Sequence, residues 1–322
     1  MRTAHGIVAF LGSVILVACR AEPDRLVFPL RADRFAGSEW SEPVNLGAPI
    51  NSSANEMNAA LSPDELSLYF VSNRPGGVGG ADIWVSRRAS LDDAWGEPVN
   101  LGPNVNGPGI DASPVVSHDG HLLFFSSDRA GGHGLNDIYV ARRIDKSDDL
   151  GWGPAVNLGP HVNTAAFEAG GFYLQDAEEG PANFYFVRGP NSSAIDIYVA
   201  AITADGETLG PAVPIAELND PNPAITDGHP SLRVDGREVF FYSNRAGSLG
   251  ASDLWRSMRR SVHDPWSPPE NLGAPLSTAA NDIQPSLSYD GRTLIFTSTR
   301  AGGLGGSDIW MSTRTSSGKE VP

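Results

Sequence analysis

The sequence predicts an all-β chain, a five-bladed β-propeller of four-stranded antiparallel blades. Three observations carry this. A hairpin phrase, last written as Asp290-Gly291 through Arg300 to Asp308-Ile309-Trp310, recurs five times in 322 residues. Its arginines, Arg74, Arg129, Arg188, Arg245 and Arg300, stand 55, 59, 57 and 55 residues apart. A second phrase alternates with the first at Trp40 to Gly47, Trp95 to Gly102, Trp152 to Gly159 and Trp266 to Gly273, with a worn copy at Leu209 to Val213. Units of this length cannot bury a hydrophobic face alone and must stack on neighbours.

The chain opens with Arg2 and His5 before an apolar run, Ile7 to Ala18. That run is shorter than the ~20 residues a membrane span needs. It ends Leu16-Val17-Ala18-Cys19, which resembles the lipobox of a bacterial lipoprotein signal peptide. The resemblance implies cleavage before Cys19 and lipid on that residue. Cys19 is the one cysteine in the sequence, so no intrachain disulfide is available and stability rests on packing. Residues 1–18 are read as signal peptide, 19–38 as a tether, 39–314 as the propeller and 315–322 as a tail.

Within each period four strands are expected. The first is the apolar segment before the Asp-Gly turn, and the second runs from that turn to the Arg. The third opens at Asp-Ile-Trp/Tyr, and the fourth is the Val-Asn-Leu-Gly segment. Period-two alternation bounded by Gly, Pro and Asp is the strand signature, and four antiparallel strands repeated radially make a blade. The fifth Asp-Ile-Trp strand is followed by no Val-Asn-Leu-Gly phrase, whereas a spare copy, Val44 to Gly47, stands at the start. The N-terminal strand is therefore expected to complete the last blade, which removes two exposed sheet edges.

The phrases Ser62 to Trp84 and Ser117 to Tyr139 resemble the WD-like propeller repeat of TolB-type proteins. They are most similar to the variant with a Gly-Gly-x-Gly loop that occurs in OmpA-associated envelope proteins. The resemblance covers all five units, and departs from TolB in showing five rather than six and no separate N-terminal domain. It implies a propeller fold and a binding role in the bacterial envelope.

A net charge of -15 without a Lys/Arg cluster argues against nucleic acid as a partner. Two sets of charge are expected on one face. One is a clamp at constant spacing: Arg74/Asp82, Arg129/Asp137, Arg188/Asp196, Arg245/Asp253 and Arg300/Asp308. The other is a ring of acids at the channel mouth, Glu56, Asp111, Glu168, Asp227 and Asp282, one where each inner strand begins. Such a ring offers oxygens to Ca²⁺ or a carboxylate pair to a glycosidase. Catalysis, however, needs two acids in unlike environments, and this ring is alike in every blade. The preferred reading is that each Arg bridges its own hairpin Asp and a ring acid, holding blades together. The glycine-rich loops feed strands and contain no Lys, so they read as turns rather than phosphate cradles. All seven Trp fall at two repeat positions, and the seven His show no zinc spacing.

Function is expected where the repetition fails. The third unit loses its Asp-Gly turn and its Gly-Gly loop, and a patch of Phe167, Asn191, Asp220, Asp227 and His229 across units three and four is the candidate binding surface. The expectation is an exported monomer, lipid-anchored at the outer membrane, that binds an envelope protein or glycan and is not an enzyme. A glycoside hydrolase or lyase using the channel carboxylates is one alternative, and a structural surface lipoprotein is the other. No cofactor is expected, Ca²⁺ being the one weighed.

Overall fold

The computed structural model describes residues 1, 35, 37–175 and 181–315. The expected signal peptide beyond Met1, Cys19, most of the tether, the tail beyond residue 315 and the third unit's first turn (176–180) lie outside them. The described residues hold twenty strands in five four-stranded antiparallel sheets and no helix.

Strand β1 (Val44–Asn45) comes first in the chain. Blade one is β2 (Glu56–Leu61), β3 (Ser67–Ser72), β4 (Asp82–Arg87) and β5 (Val99–Asn100). Blade two is β6 (Asp111–Val116), β7 (Leu122–Ser127), β8 (Asp137–Arg142) and β9 (Val156–Asn157). Blade three is β10 (Phe167–Leu174), β11 (Ala182–Asn191), β12 (Ala194–Ile202) and β13 (Val213–Pro214). Blade four is β14 (Asp227–Leu232), β15 (Glu238–Ser243), β16 (Asp253–Met258) and β17 (Glu270–Asn271). Blade five is β18 (Asp282–Leu287), β19 (Thr293–Ser298) and β20 (Asp308–Thr313), completed by β1. There Val44 faces Met311 and Asn45 faces Trp310, and the Asn45 carboxamide donates to Asp308 at 3.1 Å. The ring closes as the spare N-terminal phrase predicts.

Second strands such as Leu122-Leu123-Phe124-Phe125 are apolar without alternation because both of their faces are covered. Phe125 and Leu123 pack towards blade one with Tyr69, Val71 and Ile83. Phe124 and Leu122 pack towards blade three with Tyr173, Phe184 and Phe186. The core thus lies between blades, which is why one blade cannot stand alone. The Trp of the second phrase is covered by an Arg leaving the third strand: Arg88 over Trp95, Arg143 over Trp152, Arg259 over Trp266 and Arg314 over Trp40, at 4.2–4.7 Å.

The glycine-rich loops are glycine-rich for close approach. A Cβ on Gly134 would stand 2.3 Å from the carbonyl oxygens of Thr164 and Ala166 in blade three. Gly79, Gly250 and Gly305, at the same repeat position, abut the next blade's backbone in the same way. Gly134→Ala is expected to cost about 1–3 kcal/mol through the backbone shift it forces. Urea denaturation measures this, and an unchanged midpoint would show that the blades do not dock through these loops.

Candidate functional site

Each ring acid is the first residue of an innermost strand, or in blade three the second, and is fully buried. Glu56 pairs with Arg74 at 3.2 Å, Asp111 with Arg129 at 2.6 Å, Glu168 with Arg188 at 2.9 Å and Asp282 with Arg300 at 2.6 Å. Asp227 pairs with Arg245. Each guanidinium also donates to a loop carbonyl, of Ile50, Val105, Val162, Leu218 or Leu276. In four blades the acid's second oxygen accepts a backbone N–H, from Ser52, Gly107, Asp220 or Thr278 at 2.5–2.8 Å. Those four acids are neutralised and their oxygens taken. They form neither an open cation ring nor a catalytic pair, and among the described residues no three His, Cys, Asp or Glu side chains are placed to hold a metal.

The hairpin aspartates are a separate device, which corrects the expected Arg–Asp bridge. Asp137 accepts the N–H groups of His133 and Gly134 at 2.5 and 3.0 Å and the Asn157 carboxamide at 2.7 Å. Asp82 binds Val78, Gly79 and Asn100 likewise. Asp253 binds Leu249, Gly250 and Asn271, and Asp308 binds Leu304, Gly305 and Asn45. These carboxylates are spent on loop amides, while the Arg is spent on the ring acid. Both devices share a hairpin without touching.

Blade three breaks both. Its hairpin is a tight turn at Asn191 to Ala194, so no glycine-loop amides reach Asp196, and Pro214 stands where other blades place Asn. Among the described residues, half-buried Asp196 has no hydrogen-bond or ion-pair partner. Burial, and then the charge of Asp227, raise its pKa above the ordinary carboxylate range. Phe186 replaces the serine that takes the Arg Nε elsewhere, as Ser72, Ser127, Ser243 and Ser298 do. Arg188 therefore meets Glu168 through Nε, and the second oxygen of Glu168, Oε2, is buried with no hydrogen-bond partner among the described residues.

Two residues beyond each ring acid the inner strand bulges, breaking register with its neighbour. Asn58, Ser113, His229 and Gln284 are left-handed there, at φ of 51–55°, and Gly170 is at 58°. For the four with side chains this costs on the order of 1–3 kcal/mol each. Bulges beside sites turn a side chain in a new direction, and here all five residues line one pocket of 430 Å³. Hydrogen bonds link part of this ring. Gln284 Oε1 accepts from the Asn58 N–H at 3.2 Å, and the Asn58 carboxamide donates to Ser113 Oγ at 3.2 Å. The chain covers blades five, one and two and stops at Gly170, which has no side chain. Beyond the gap the ring nitrogens of His229 are buried and neither meets hydrogen-bond geometry among the described residues, the Pro285 backbone lying against the ring. The imidazole rests on Gly170, where a Cβ would approach its Cδ2 to 3.4 Å.

Of the patch expected from sequence, Phe167 and His229 line this pocket. Asn191 instead accepts the Ser193 N–H within the hairpin, and Asp220 accepts from Asn222 and supplies its own N–H to Asp227. The pocket-lining Asn58, Ser113, Gly170 and Gln284 escaped sequence reasoning. Their signal was a fixed offset of two from an acid that recurs, at a position whose chemistry changes from blade to blade.

Burial holds the His229 imidazole neutral, with its pKa lowered to about 4 against the backbone of Pro285, which favours the protonated ring. The unfolded chain takes up this proton near 6.5, before the folded protein does. Stability from this residue is full above 6.5 and falls between 6.5 and 4, by an amount on the order of 3 kcal/mol. His229→Gln is expected to lose correspondingly less stability between pH 7 and pH 4.5. Equal losses in the two proteins, read from urea midpoints at both pH values, would contradict the buried neutral imidazole.

No family model and no curated protein matches the sequence. Solved structures match in fold. An α-L-arabinofuranosidase from Lactobacillus brevis superposes with a TM-score of 0.58 at 12% identity, covering 83% of this chain and 92% of that one. An endo-arabinase from Bacteroides thetaiotaomicron gives 0.54 at 17%, covering 86% and 97%. A putative TolB from Agrobacterium tumefaciens gives 0.45 at 19%, covering 77% and 72%, too distant to carry an argument. The expectation of a non-enzymatic envelope-binding protein, drawn from the TolB resemblance, is corrected on this finding: the likenesses that count are to five-bladed propellers of glycan-cleaving enzymes, and at these identities they are likenesses of fold.

Proposed function

We propose that the protein is a glycoside hydrolase that takes a glycan into the axial pocket. One observation carries the reading: the pocket opens where the hydrogen-bonded axial ring is incomplete, at the blade whose hairpin aspartate has no partner among the described residues. The fold shared with an α-L-arabinofuranosidase and an endo-arabinase supports it. The alternative weighed from sequence used the ring carboxylates, but these are closed by Arg. The chemistry is assigned instead to two acids in unlike surroundings. Asp196, in the same strand as pocket-lining Ile195, has a raised pKa and is assigned to give a proton to the leaving glycosidic oxygen. Asp128 on the pocket rim is exposed, with Oδ1 accepting the Ile110 N–H at 2.7 Å, and takes a proton from the water that attacks the anomeric carbon. In this reading a lipid on Cys19 tethers a monomeric enzyme to the outer membrane, where it meets polysaccharide.

The test is release of reducing ends from arabinan, arabinoxylan and xylan. Wild type is expected to release them, and Asp196→Asn to slow release by about 10²–10⁴-fold. No release from any glycan would sink the hydrolase reading. Release unaffected by both Asp196→Asn and Asp128→Asn would sink only the assignment of acids.

A further inference from the structure

We infer that the pocket face of the propeller is a docking surface for an uncharged polysaccharide, held along an arc of loops over blades four, five and one and led from there into the axial pocket. This rests on the glycan reading above and adds to it the path of the polymer outside the pocket.

The two ends of the propeller differ in charge. Strand direction puts the loops joining second to third strands, and the loops entering inner strands, on the pocket face. Over blades four, five and one these are 244–252, 272–281, 299–307, 46–55 and 73–81, and the charged residues in them are Arg245, Arg300 and Arg74. Each of the three is closed on a buried ring acid. The loops at the opposite end expose Asp92, Asp145, Lys146, Asp205, Arg260 and Asp290. In a chain of net charge -15, an arc with no free charge suits a partner that carries none.

The arc is apolar at its tips. Leu249, Leu304 and Val78 occupy one repeat position and are 49–57% exposed. The backbone N–H of each is held by the hairpin carboxylate of Asp253, Asp308 or Asp82. The side chains therefore stand on fixed loops and can cover the C–H face of a sugar without first being ordered. Polar groups between the tips suit hydroxyls. Asn73 and Asn244 are exposed, and their side-chain oxygens accept the N–H groups of Asn55 and Thr226 at 2.9 and 2.8 Å. That leaves each NH2 group as a donor to a sugar oxygen.

A bilayer fits the arc less well. It would cap the pocket, whose lining residues Asp128, Leu135 and Ser192 lie in loops of the same face. The arc also has neither the Trp and Tyr nor the unpaired Lys and Arg that hold proteins at lipid headgroups. A polymer on the arc instead reaches the pocket at Asn58 and Gln284, the lining residues of blades one and five.

The experiment is co-sedimentation of the full chain with insoluble arabinoxylan at pH 7, beside release of sugar from a short arabinoxylo-oligosaccharide. Wild type is expected to bind the polymer with an affinity that changes less than about twofold between roughly 0.05 and 0.5 M salt, since no charge pair forms. Leu304→Asp with Val78→Asp alters two exposed tips outside the pocket lining. The double variant is expected to weaken polymer binding about tenfold or more and to leave release from the oligosaccharide within about twofold, which also shows that it folds. Leu91→Asp, at an exposed leucine of the opposite end, is expected to change neither. Phosphatidylcholine vesicles are expected not to bind. Polymer binding that ignores the tip substitutions, or that collapses in salt, would overturn the docking surface. Vesicle binding lost in the double variant would overturn it in favour of a bilayer. Wild type that fails to bind arabinoxylan yet releases sugar from the oligosaccharide would overturn the surface and leave the hydrolase standing. Tip-dependent binding without release would uphold the surface and sink the hydrolase, and neither binding nor release would overturn both.

Discussion

Arg245→Ala should destabilise the propeller by roughly 3–5 kcal/mol, since it leaves a charged group buried without its partner. Asp227 has no solvent exposure, and among the described residues Arg245 is the cation that pairs with it. The same guanidinium donates to the Leu218 carbonyl at 2.5 Å and to Ser243 Oγ at 3.0 Å, and lies over the rings of Phe241 and Trp255. One substitution therefore strips a carboxylate, a loop carbonyl and two aromatic faces at the entrance to blade four. Replacing the pair together, as Arg245→Met with Asp227→Leu, should recover most of the loss, because no unpaired charge is then buried. Urea unfolding of the three proteins checks this. A single mutant within about 0.5 kcal/mol of wild type would show that the ring acids are not held by their arginines.

Phe184→Ala should cost about 3–5 kcal/mol. The ring is fully buried between blades two and three, 4.8 Å from Phe124 and 6.0 Å from Phe186 between centroids. It occupies space vacated by Gly171, whose Cβ would stand 2.6 Å from the Phe184 ring edge. Truncation opens a cavity bounded by strands on both blades, which cannot collapse without shifting a whole sheet. Phe184→Leu, which refills part of the volume, should cost distinctly less. A loss under about 1 kcal/mol for the Ala protein would mean that the seam relaxes and that the blades are not rigidly docked there.

Repetition explains which features could be read from sequence. Four strands per blade, five blades and closure by Val44 to Gly47 each rest on a phrase written four or five times, so chance variation at one copy does not hide the pattern. The ring acids were visible for the same reason. What repetition cannot show is which partner a charged group chooses in space. Arg129 and Asp137 recur together, yet one turns to Asp111 and the other to the amides of His133 and Gly134. The axial ring was hidden because it depends on a backbone bulge and a positive φ, and Asn, Ser, Gly, His and Gln share no pattern that would group them. Departure from the repeat was informative in one respect. Where blade three drops its glycine loop and its Asn, Asp196 and Glu168 Oε2 lose the partners that their counterparts keep.

The most direct measurement is a crystal structure of the Asp196→Asn protein with a neutral arabino- or xylo-oligosaccharide. The prediction is a sugar seated in the axial pocket, against Phe167, Asn58 and Gln284. An oligosaccharide bound on the opposite face or along an outer groove, with the axial pocket empty, would contradict the account.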